Sequence, residues 1–330
     1  MEPLPHSRGS VLSDGGRLHT ASASPGTRVY GERLVSKGGV EYREWNPRRS
    51  KLAAYLALGG GFFPFRRGDS VLYLGAASGT TASHVSDIVP DGAVYCVEYS
   101  ARPFRDLVAV AETRGNMVPV LGDAASPEGY AFMVPDVDVV YSDVAQKGQA
   151  RILAANMRRF GARFGMLCLK ARSEDVTADP RTVFSDAASQ LAEMGMDVVD
   201  VVDLGRYERD HAMICVEMPR TAYCVAVSDE GFLMVRNPAR GGWEMPGGKL
   251  ERGESAMEGA ARECLEESGY AVEPVARMNM GDCDAVACRV LGRVGGGEME
   301  PRFFRELPGE LSFPVEEYEG VLEWAASLKQ

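Results

Sequence analysis

Val71-Leu72-Tyr73-Leu74 runs straight into Gly75-Ala76-Ala77-Ser78-Gly79, and that turn opens into a segment with helical spacing at Ala82, Val85 and Val89. A short apolar run, a glycine-bounded turn and a helical period together specify a buried strand, a tight turn and a helix start. Glycine at 75 and 79, with alanines between, removes side-chain bulk where a ligand has to approach the backbone. The following helix N-terminus contributes unpaired N–H groups. This is the pattern of a nucleotide-type cofactor turn; alone, it specifies close approach to a backbone and not which cofactor.

The chain beyond the turn alternates. Strand-like runs at Ala93–Val97, Met117–Leu121, Val137–Tyr141, Gly165–Leu169, Val198–Leu204 and Ala212–Glu217 are mostly separated by helical patterns. Such alternation predicts a doubly wound, mostly parallel α/β sheet of Rossmann type, in which ligands bind beyond the carboxyl ends of the strands. Glu98, Asp123, Asp143 and Lys170 stand at four such ends. Glu98 falls about 20 residues beyond the turn, the offset at which an acid reaches ribose hydroxyls. Asp123 can accept from an adenine amino group while Ala124 leaves room for the ring, and Asp143-Val144-Ala145-Gln146 with Lys170 would flank the reacting end. Singly, each acid is an ordinary cap or turn residue; as a set they outline one pocket.

Ahead of the turn, residues 1–27 are rich in Ser, Gly, Pro and His and predict a loose start or short strands, and residues 28–42, broken at Gly38-Gly39, predict a β-hairpin. Residues 1–45 are therefore a small N-terminal β region, followed by the alternating α/β domain over 46–218 and a second domain over 219–330. Asn46-Pro47 stops the extended chain, and Ser50 can cap a helix carrying Leu52, Ala53, Leu56 and Ala57. Lys51 sits in that helix's first turn, where the macrodipole disfavours a cation; a solvated lysine is the ordinary reading and a duty in a site the sharper one.

Charge and cysteine content narrow the partners. The net charge is −11, split as −3 over residues 1–218 (24 basic, 27 acidic) and −8 over 219–330 (12 basic, 20 acidic), while residues 1–51 hold nine basic against five acidic groups. That local excess suits phosphate contact or a solvated basic face. The seven cysteines include no CxxC pair and predict reduced, buried thiols. No apolar run is long enough for a membrane span and no signal pattern opens the chain, so the expectation is a soluble, cytoplasmic protein with no membrane partner.

With these residues placed, positions from about 28 to 218 resemble fibrillarin, the methyltransferase of box C/D ribonucleoproteins, in its archaeal form. The resemblance rests on Arg43-Glu44-Trp45-Asn46-Pro47 with Ser50-Lys51-Leu52, on 71–89, on Leu121-Gly122-Asp123-Ala124, on Asp143-Val144-Ala145-Gln146, on Lys170-Ala171-Arg172-Ser173 and on Tyr207-Glu208-Arg209-Asp210-His211-Ala212. It implies S-adenosyl-L-methionine as cofactor and a ribose 2′-hydroxyl of rRNA or tRNA as acceptor. It also implies a box C/D guide RNA, a Nop-family scaffold protein and a kink-turn-binding ribosomal-type protein as partners. Carried over by position, Gly75, Ala77, Thr80, Thr81, Glu98, Tyr99, Asp123, Ala124 and Asp143 through Gln146 would contact the cofactor, and Lys51, Asp143, Lys170 and His211 would form the catalytic group. A ribose hydroxyl is a very weak acid, so attack on a sulfonium methyl needs its proton removed or its developing charge stabilised. Lys170, tuned by desolvation and neighbouring Lys51, is expected to accept or share that proton, with Asp143 orienting it. His211, at a strand entry, is equally readable as a structural group.

The chain changes character at Thr221. Two strand patterns, Ala222–Val227 and Phe232–Val235, surround a turn at Asp229-Glu230-Gly231 and precede Gly241-Gly242-Trp243-Glu244-Met245-Pro246-Gly247-Gly248. Five residues then separate Gly248 from Glu254, seven more lead to Arg262-Glu263, and Glu266-Glu267-Ser268-Gly269-Tyr270 follows. Ser255 and Glu258 form a capping box, Gly269 ends the helix, and Glu263, Glu266 and Glu267 share one helical face. Three crowded carboxylates call for a divalent cation, and magnesium bridging a diphosphate is the natural occupant. The spacing is similar to the Nudix box, so residues 221–330 resemble an α/β/α Nudix hydrolase domain. That resemblance implies hydrolysis of a nucleoside diphosphate derivative, with Gly248, Glu263, Glu266 and Glu267 as the metal set, Glu266 as a catalytic residue and Arg262 orienting a glutamate. Selectivity is expected in loops within 271–312 and a closing helix at Leu322–Leu328. The alternative is a ribonucleoprotein methyltransferase whose Nudix part is a binding or docking module.

Overall fold

Residues 1–251, 254–281 and 283–328 are described by a computed structural model. Short polar-punctuated strands open the chain: β1 (Glu2–Pro3), β2 (Val11–Asp14), β3 (Arg17–Ala21), β4 (Leu34–Lys37) and β5 (Val40–Trp45) form an antiparallel sheet in the order β1-β2-β3-β5-β4. Gly38 and Gly39 make the β4–β5 turn with φ of +59° and +79°, a conformation that excludes most other residues. Three of the five strands lie within the first 27 residues, so that stretch is built of short strands. Helix α1 (Lys51–Ala57) follows, with the Ser50 side chain accepting from the Ala53 N–H at 3.3 Å.

The alternating region gives β6 (Ser70–Leu74), α2 (Thr80–Ile88), β7 (Ala93–Glu98), α3 (Ala101–Ala111), β8 (Met117–Leu121), β9 (Val139–Ser142), α4 (Gln149–Arg159), β10 (Phe164–Lys170), α5 (Ala171–Glu174), α6 (Pro180–Glu193), β11 (Asp197–Asp203) and β12 (His211–Glu217). The sheet order is β11-β12-β10-β9-β6-β7-β8, with β10, β9, β6, β7 and β8 parallel and β12 antiparallel to both β10 and β11. Because the order reverses between β6 and β9, their carboxyl ends open a crevice, the place where open α/β sheets bind ligands. Alternate residues feed two cores: Val71, Tyr73 and Cys96 pack with Leu52, Tyr55 and Val85 on one face, and Leu72, Leu74 and Val97 with Leu153, Met157 and Leu191 on the other.

A buried polar network joins the first sheet to α2. The fully buried Arg43 pairs with Glu32 and, at 2.8 Å, with Asp87 of α2, whose other oxygen takes Arg114 at 2.7 Å. His84 of α2 contacts the Thr20 hydroxyl and the Tyr30 hydroxyl, each at 2.8 Å, and stacks on Trp45 with ring centroids 4.9 Å apart. Burial, then Arg43 and Arg114, push the His84 pKa well down, so the ring is neutral here. The network sets Trp45, five residues before Ser50, against α2; the N-terminal sheet thus belongs to the compact unit Met1–Met218.

The second unit, Pro219–Gln330, is built of β13 (Thr221–Ser228), β14 (Gly231–Arg236), β15 (Trp243–Glu244), β16 (Gly247–Lys249), α7 (Ala256–Ser268), β17 (Tyr270–Asn279), β18 (Cys283–Arg293), β19 (Glu300–Phe304) and α8 (Val315–Ser327). Its path is β15-β14-β13-β18-β17, with β16 added on β13, β19 on β14, and β13 and β18 parallel. Helix α7 packs Ala256, Ala260 and Cys264 on one face against Cys224, Ala226 and Cys288; α8 packs Tyr318, Val321 and Ala325 on the other against Val225 and Met245. Two expectations need correction. The 271–312 stretch is largely strand: β18 pairs with β13 and β17, β19 pairs with β14, and register shifts at Ala271/Val272 and Pro274/Ala276 let β17 continue past Pro274. The closing helix starts at Val315, several residues before Leu322, behind Pro314. Six cysteines are buried and Cys283 is half-buried. Among the described residues no helix is long and apolar enough to cross a membrane.

Candidate functional site

In the first unit, the strand ends β6, β7, β9 and β10 surround a cleft of about 300 Å³, lined by Gly75, Ala77, Glu98, Tyr99, Ala124, Lys170 and the run Asp143 through Gln146. Gly75 sits at φ +76°, and a Cβ there would lie 2.7 Å from the Asp143 carbonyl oxygen, so glycine lets the turn and the end of β9 approach each other. Ala77 is held at φ +46°, and its N–H donates to Glu98 Oε2 at 2.9 Å; the Ser100 N–H donates to Oε1 at 2.7 Å. Glu98, 8% exposed, therefore braces the turn with one lone pair of each oxygen and faces the cleft as well. Tyr99 is 71% exposed at the rim.

Three expected cofactor residues do not line the cleft. Asp123 bears on it through Gln146, whose Nε2 donates to Asp123 Oδ1 at 3.0 Å. The buried Thr81 hydroxyl donates to Ser50 Oγ at 3.0 Å, tying the start of α2 to the cap of the helix that carries Lys51. Thr80 opens α2 beside it, its carbonyl accepting from the Ser83 hydroxyl at 2.9 Å.

The four expected catalytic residues do converge. Lys51 Nζ bonds Asp143 Oδ2 at 3.0 Å; Lys170 Nζ lies 3.1 Å from Oδ1 and donates to the Asp143 carbonyl at 3.2 Å. All three side chains are mostly buried, at 14–21% exposure. Burial disfavours the Lys51 ammonium, but the Asp143 carboxylate outweighs it and the pKa is raised, so Lys51 is a fixed cation. His211 is paired in register with Lys170 across the β10–β12 ladder. Its Nδ1 is 2.6 Å from the Arg209 carbonyl, which makes Nδ1 the donor and leaves Nε2 open. Burial, with Lys51 and Lys170 nearby, lowers the ring's pKa despite that bond, so it is neutral at pH 7.

Sequence reasoning did not single out the groups that hold Lys170. The Gln149 side-chain amide pairs with both the N–H and the carbonyl of Lys170, at 3.0 and 3.1 Å. Glu174 in turn accepts from the Gly148 and Gln149 N–H groups at the start of α4. Glu174 lies four residues past Lys170 and Gln149 at a helix start, so the visible signal was an acid and an amide flanking a strand end.

In the second unit, Ser255 and Glu258 close the capping box of α7, and Gly269 ends it at φ +75°. Arg262 donates to Glu254 at 2.8 and 3.0 Å, to Glu263 at 2.8 Å and to Glu266 at 3.0 Å. Glu267 accepts from the Gly247 N–H at 3.0 Å, yet burial first, and then Glu263, Glu244 and Glu298, push its pKa up to about 7. A Cβ at Gly247 would lie 2.6 Å from Tyr223 Cα and 2.7 Å from the Ala222 carbonyl oxygen, so glycine is required there, and one at Gly248 would lie 2.5 Å from Glu263 Oε1, so Gly248 lets that carboxylate sit against the strand. The expected metal set Gly248, Glu263, Glu266 and Glu267 is thus adjacent, but among the described residues no three acidic, imidazole or thiol side chains converge as a ready metal cluster: Arg262 draws Glu263 and Glu266 to itself. The donors are hard oxygens, and burial first and neighbouring carboxylates second disfavour the Glu267 charge, so the set fits a hard divalent cation.

A family model described as Fibrillarin matches residues 10–220, well over half of the chain. The chain belongs to the fibrillarin family. A second model, described as NUDIX domain, matches residues 218–327, so this fibrillarin carries a Nudix domain. The fibrillarin-like rRNA/tRNA 2′-O-methyltransferase of Methanopyrus kandleri is 52% identical over 212 residues, covering 63% of this chain and 91% of that protein. Aeropyrum pernix fibrillarin, solved in complex with natively bound S-adenosyl-L-methionine, is 48% identical with a TM-score of 0.56, covering 61% of this chain and 88% of that one. The fibrillarin of a fibrillarin/Nop5p complex is 41% identical with a TM-score of 0.60, covering 66% and 100%.

Proposed function

We propose that the first unit transfers a methyl group from S-adenosyl-L-methionine to a ribose 2′-hydroxyl of rRNA or tRNA. The observation that carries this reading is the bracketing of Asp143 by Lys51 and Lys170 at the mouth of a cleft whose glycine turn has no room for a side chain. The Aeropyrum pernix relative holds the same cofactor; when bound, it supplies the electrophilic methyl. Gly75, Ala77, Glu98, Tyr99, Ala124 and Asp143 through Gln146 would hold it, with Asp123 acting through Gln146. Two ammoniums on one carboxylate leave a net positive centre, suited to an oxygen that becomes more negative as it attacks. Lys170, as an ammonium, donates to the hydroxyl oxygen and holds its growing negative charge, Lys51 supplies fixed charge, and the neutral His211 Nε2 is open to take the hydroxyl proton. Lys170→Ala should abolish methyl transfer while cofactor binding is retained; near-normal turnover would overturn the assignment.

The acceptor is selected by a box C/D guide RNA, with a Nop-family scaffold and a kink-turn-binding protein completing a cytoplasmic particle. The fibrillarin/Nop5p relative supports the scaffold, and partners of this kind supply RNA affinity that a unit of net charge −3 lacks. The second unit hydrolyses a nucleoside diphosphate derivative: Glu263, Glu266, Glu267 and the Gly248 carbonyl would hold magnesium, which supplies charge neutralisation for the diphosphate, and Glu266, half-exposed, serves as base. Formation of nucleoside monophosphate from a panel of such compounds, with magnesium and the full chain, tests this; silence across the panel would leave a binding module.

A further inference from the structure

The second unit holds a cavity of about 310 Å³, floored by Gly247 and Gly248, on the sheet face opposite α7. The two glycines link it to the carboxylates: Gly247 abuts Tyr223 of the cavity and donates to Glu267, while Gly248 abuts Glu263. A diphosphate at α7 would therefore place the attached nucleoside in this cavity, which is large enough for a base with part of its sugar. The walls are aromatic and acidic: Tyr223, Phe313 and Tyr318 stand with Arg240, Glu244 and Glu317.

The two tyrosine hydroxyls and one nitrogen of Arg240 in this wall are engaged. Tyr318 OH donates to the Trp243 carbonyl at 3.3 Å, Tyr223 OH to Met280 Sδ at 3.1 Å, and Arg240 to both oxygens of Glu244 at 3.0 and 3.1 Å while lying 4.8 Å over the Phe313 ring. Glu244, 5% exposed, also accepts from Asn237 at 2.8 Å. Glu317, exposed on α8, has no ion pair among the described residues and adds two acceptor oxygens. Glu317 thus asks for donors. Of the common bases, guanine alone offers two adjacent N–H donors on one edge; adenine, cytosine and uracil each set at least one acceptor against a carboxylate.

From this cavity we infer that the Nudix substrate is a guanosine diphosphate derivative, its base stacked on the aromatic wall and its N1–H and 2-amino group read by Glu317. The inference rests on the proposed hydrolase reading, and two measurements on the full chain separate them. Calorimetric binding of GDP, ADP, UDP and CDP reads the base without hydrolysis, and magnesium-dependent hydrolysis of the corresponding diphosphate sugars reads the chemistry. GDP should bind about tenfold or more tighter than the others, and Glu317→Gln, which turns one acceptor into a donor, should remove about tenfold of that preference and leave ADP and UDP unchanged. GDP-selective binding without hydrolysis would uphold the base assignment and overturn the hydrolase. Hydrolysis indifferent to the base would overturn the base assignment, and a guanine preference untouched by Glu317→Gln would overturn the role given to Glu317.

Discussion

The two units concentrate charge of opposite sign. In the first, one carboxylate, Asp143, is shared by two ammoniums, Lys51 and Lys170; in the second, one guanidinium, Arg262, is shared by three carboxylates, Glu254, Glu263 and Glu266, with Glu267 crowded beside them. A cationic centre stabilises an oxygen that gains negative charge. An anionic centre needs a cation before a diphosphate can approach. The local sign of the site, more than the fold around it, separates the methyl transfer proposed for the first unit from the diphosphate hydrolysis proposed for the second.

Breaking the cationic centre should have the largest effect. Lys170→Ala is expected to lower the methyl-transfer rate by about 10³-fold or more, with S-adenosyl-L-methionine affinity measured by calorimetry within a few-fold of wild type. Asp143→Ala should cost as much in rate and also weaken cofactor binding, because two ammoniums lose their common partner. On the anionic side, Glu266→Gln should reduce magnesium-dependent hydrolysis by about 10²-fold in initial-rate assays and leave methyl transfer at its wild-type value. A loss in both activities would contradict the independence of the two centres.

Titration offers smaller and sharper contrasts. Glu267, raised to about 7, holds a proton in the folded state between its ordinary carboxylate range and neutrality, where the unfolded chain does not. Stability of the metal-free second unit should therefore fall as pH rises through that window, and magnesium should suppress the fall; thermal melts from pH 5 to 8 with and without the ion check this. His84 and His211 behave in the opposite sense. Their lowered pKa values mean that the unfolded state binds protons first, so the stability they contribute is complete above about pH 6.5 and declines as pH falls through it. Methyl transfer should lose its open His211 nitrogen on an acid limb below that pH, and His211→Gln should flatten the limb with a rate loss smaller than that of Lys170→Ala.

How much of this was legible in the sequence follows from how local each signal is. The glycine turn at 75–79, the ends of β7, β9 and β10 and the Nudix helix are contiguous patterns, and each corresponds to an element of the fold. The convergence of Lys51, Asp143, Lys170 and His211 was legible through the family motifs. Non-local support was not. Thr81 carries a family motif as a cofactor residue, yet its hydroxyl serves Ser50, and nothing in the spacing between them announces that bond. Arg43 looked like one of a basic cluster, but it is buried among Glu32 and Asp87, an arrangement that depends on a second sheet docking on α2. The 271–312 stretch was expected to hold loops, but β17, β18 and β19 within it pair with one another or with β13 and β14, partners that no local pattern announces.

The most direct test of the account is transfer of a labelled methyl group to a mapped ribose, with the full chain assembled with guide RNA, scaffold and kink-turn-binding protein, comparing wild type, Lys170→Ala and Glu266→Gln. The account predicts wild-type methylation for Glu266→Gln and none for Lys170→Ala at equal cofactor occupancy. Methylation by Lys170→Ala at close to the wild-type rate would contradict it.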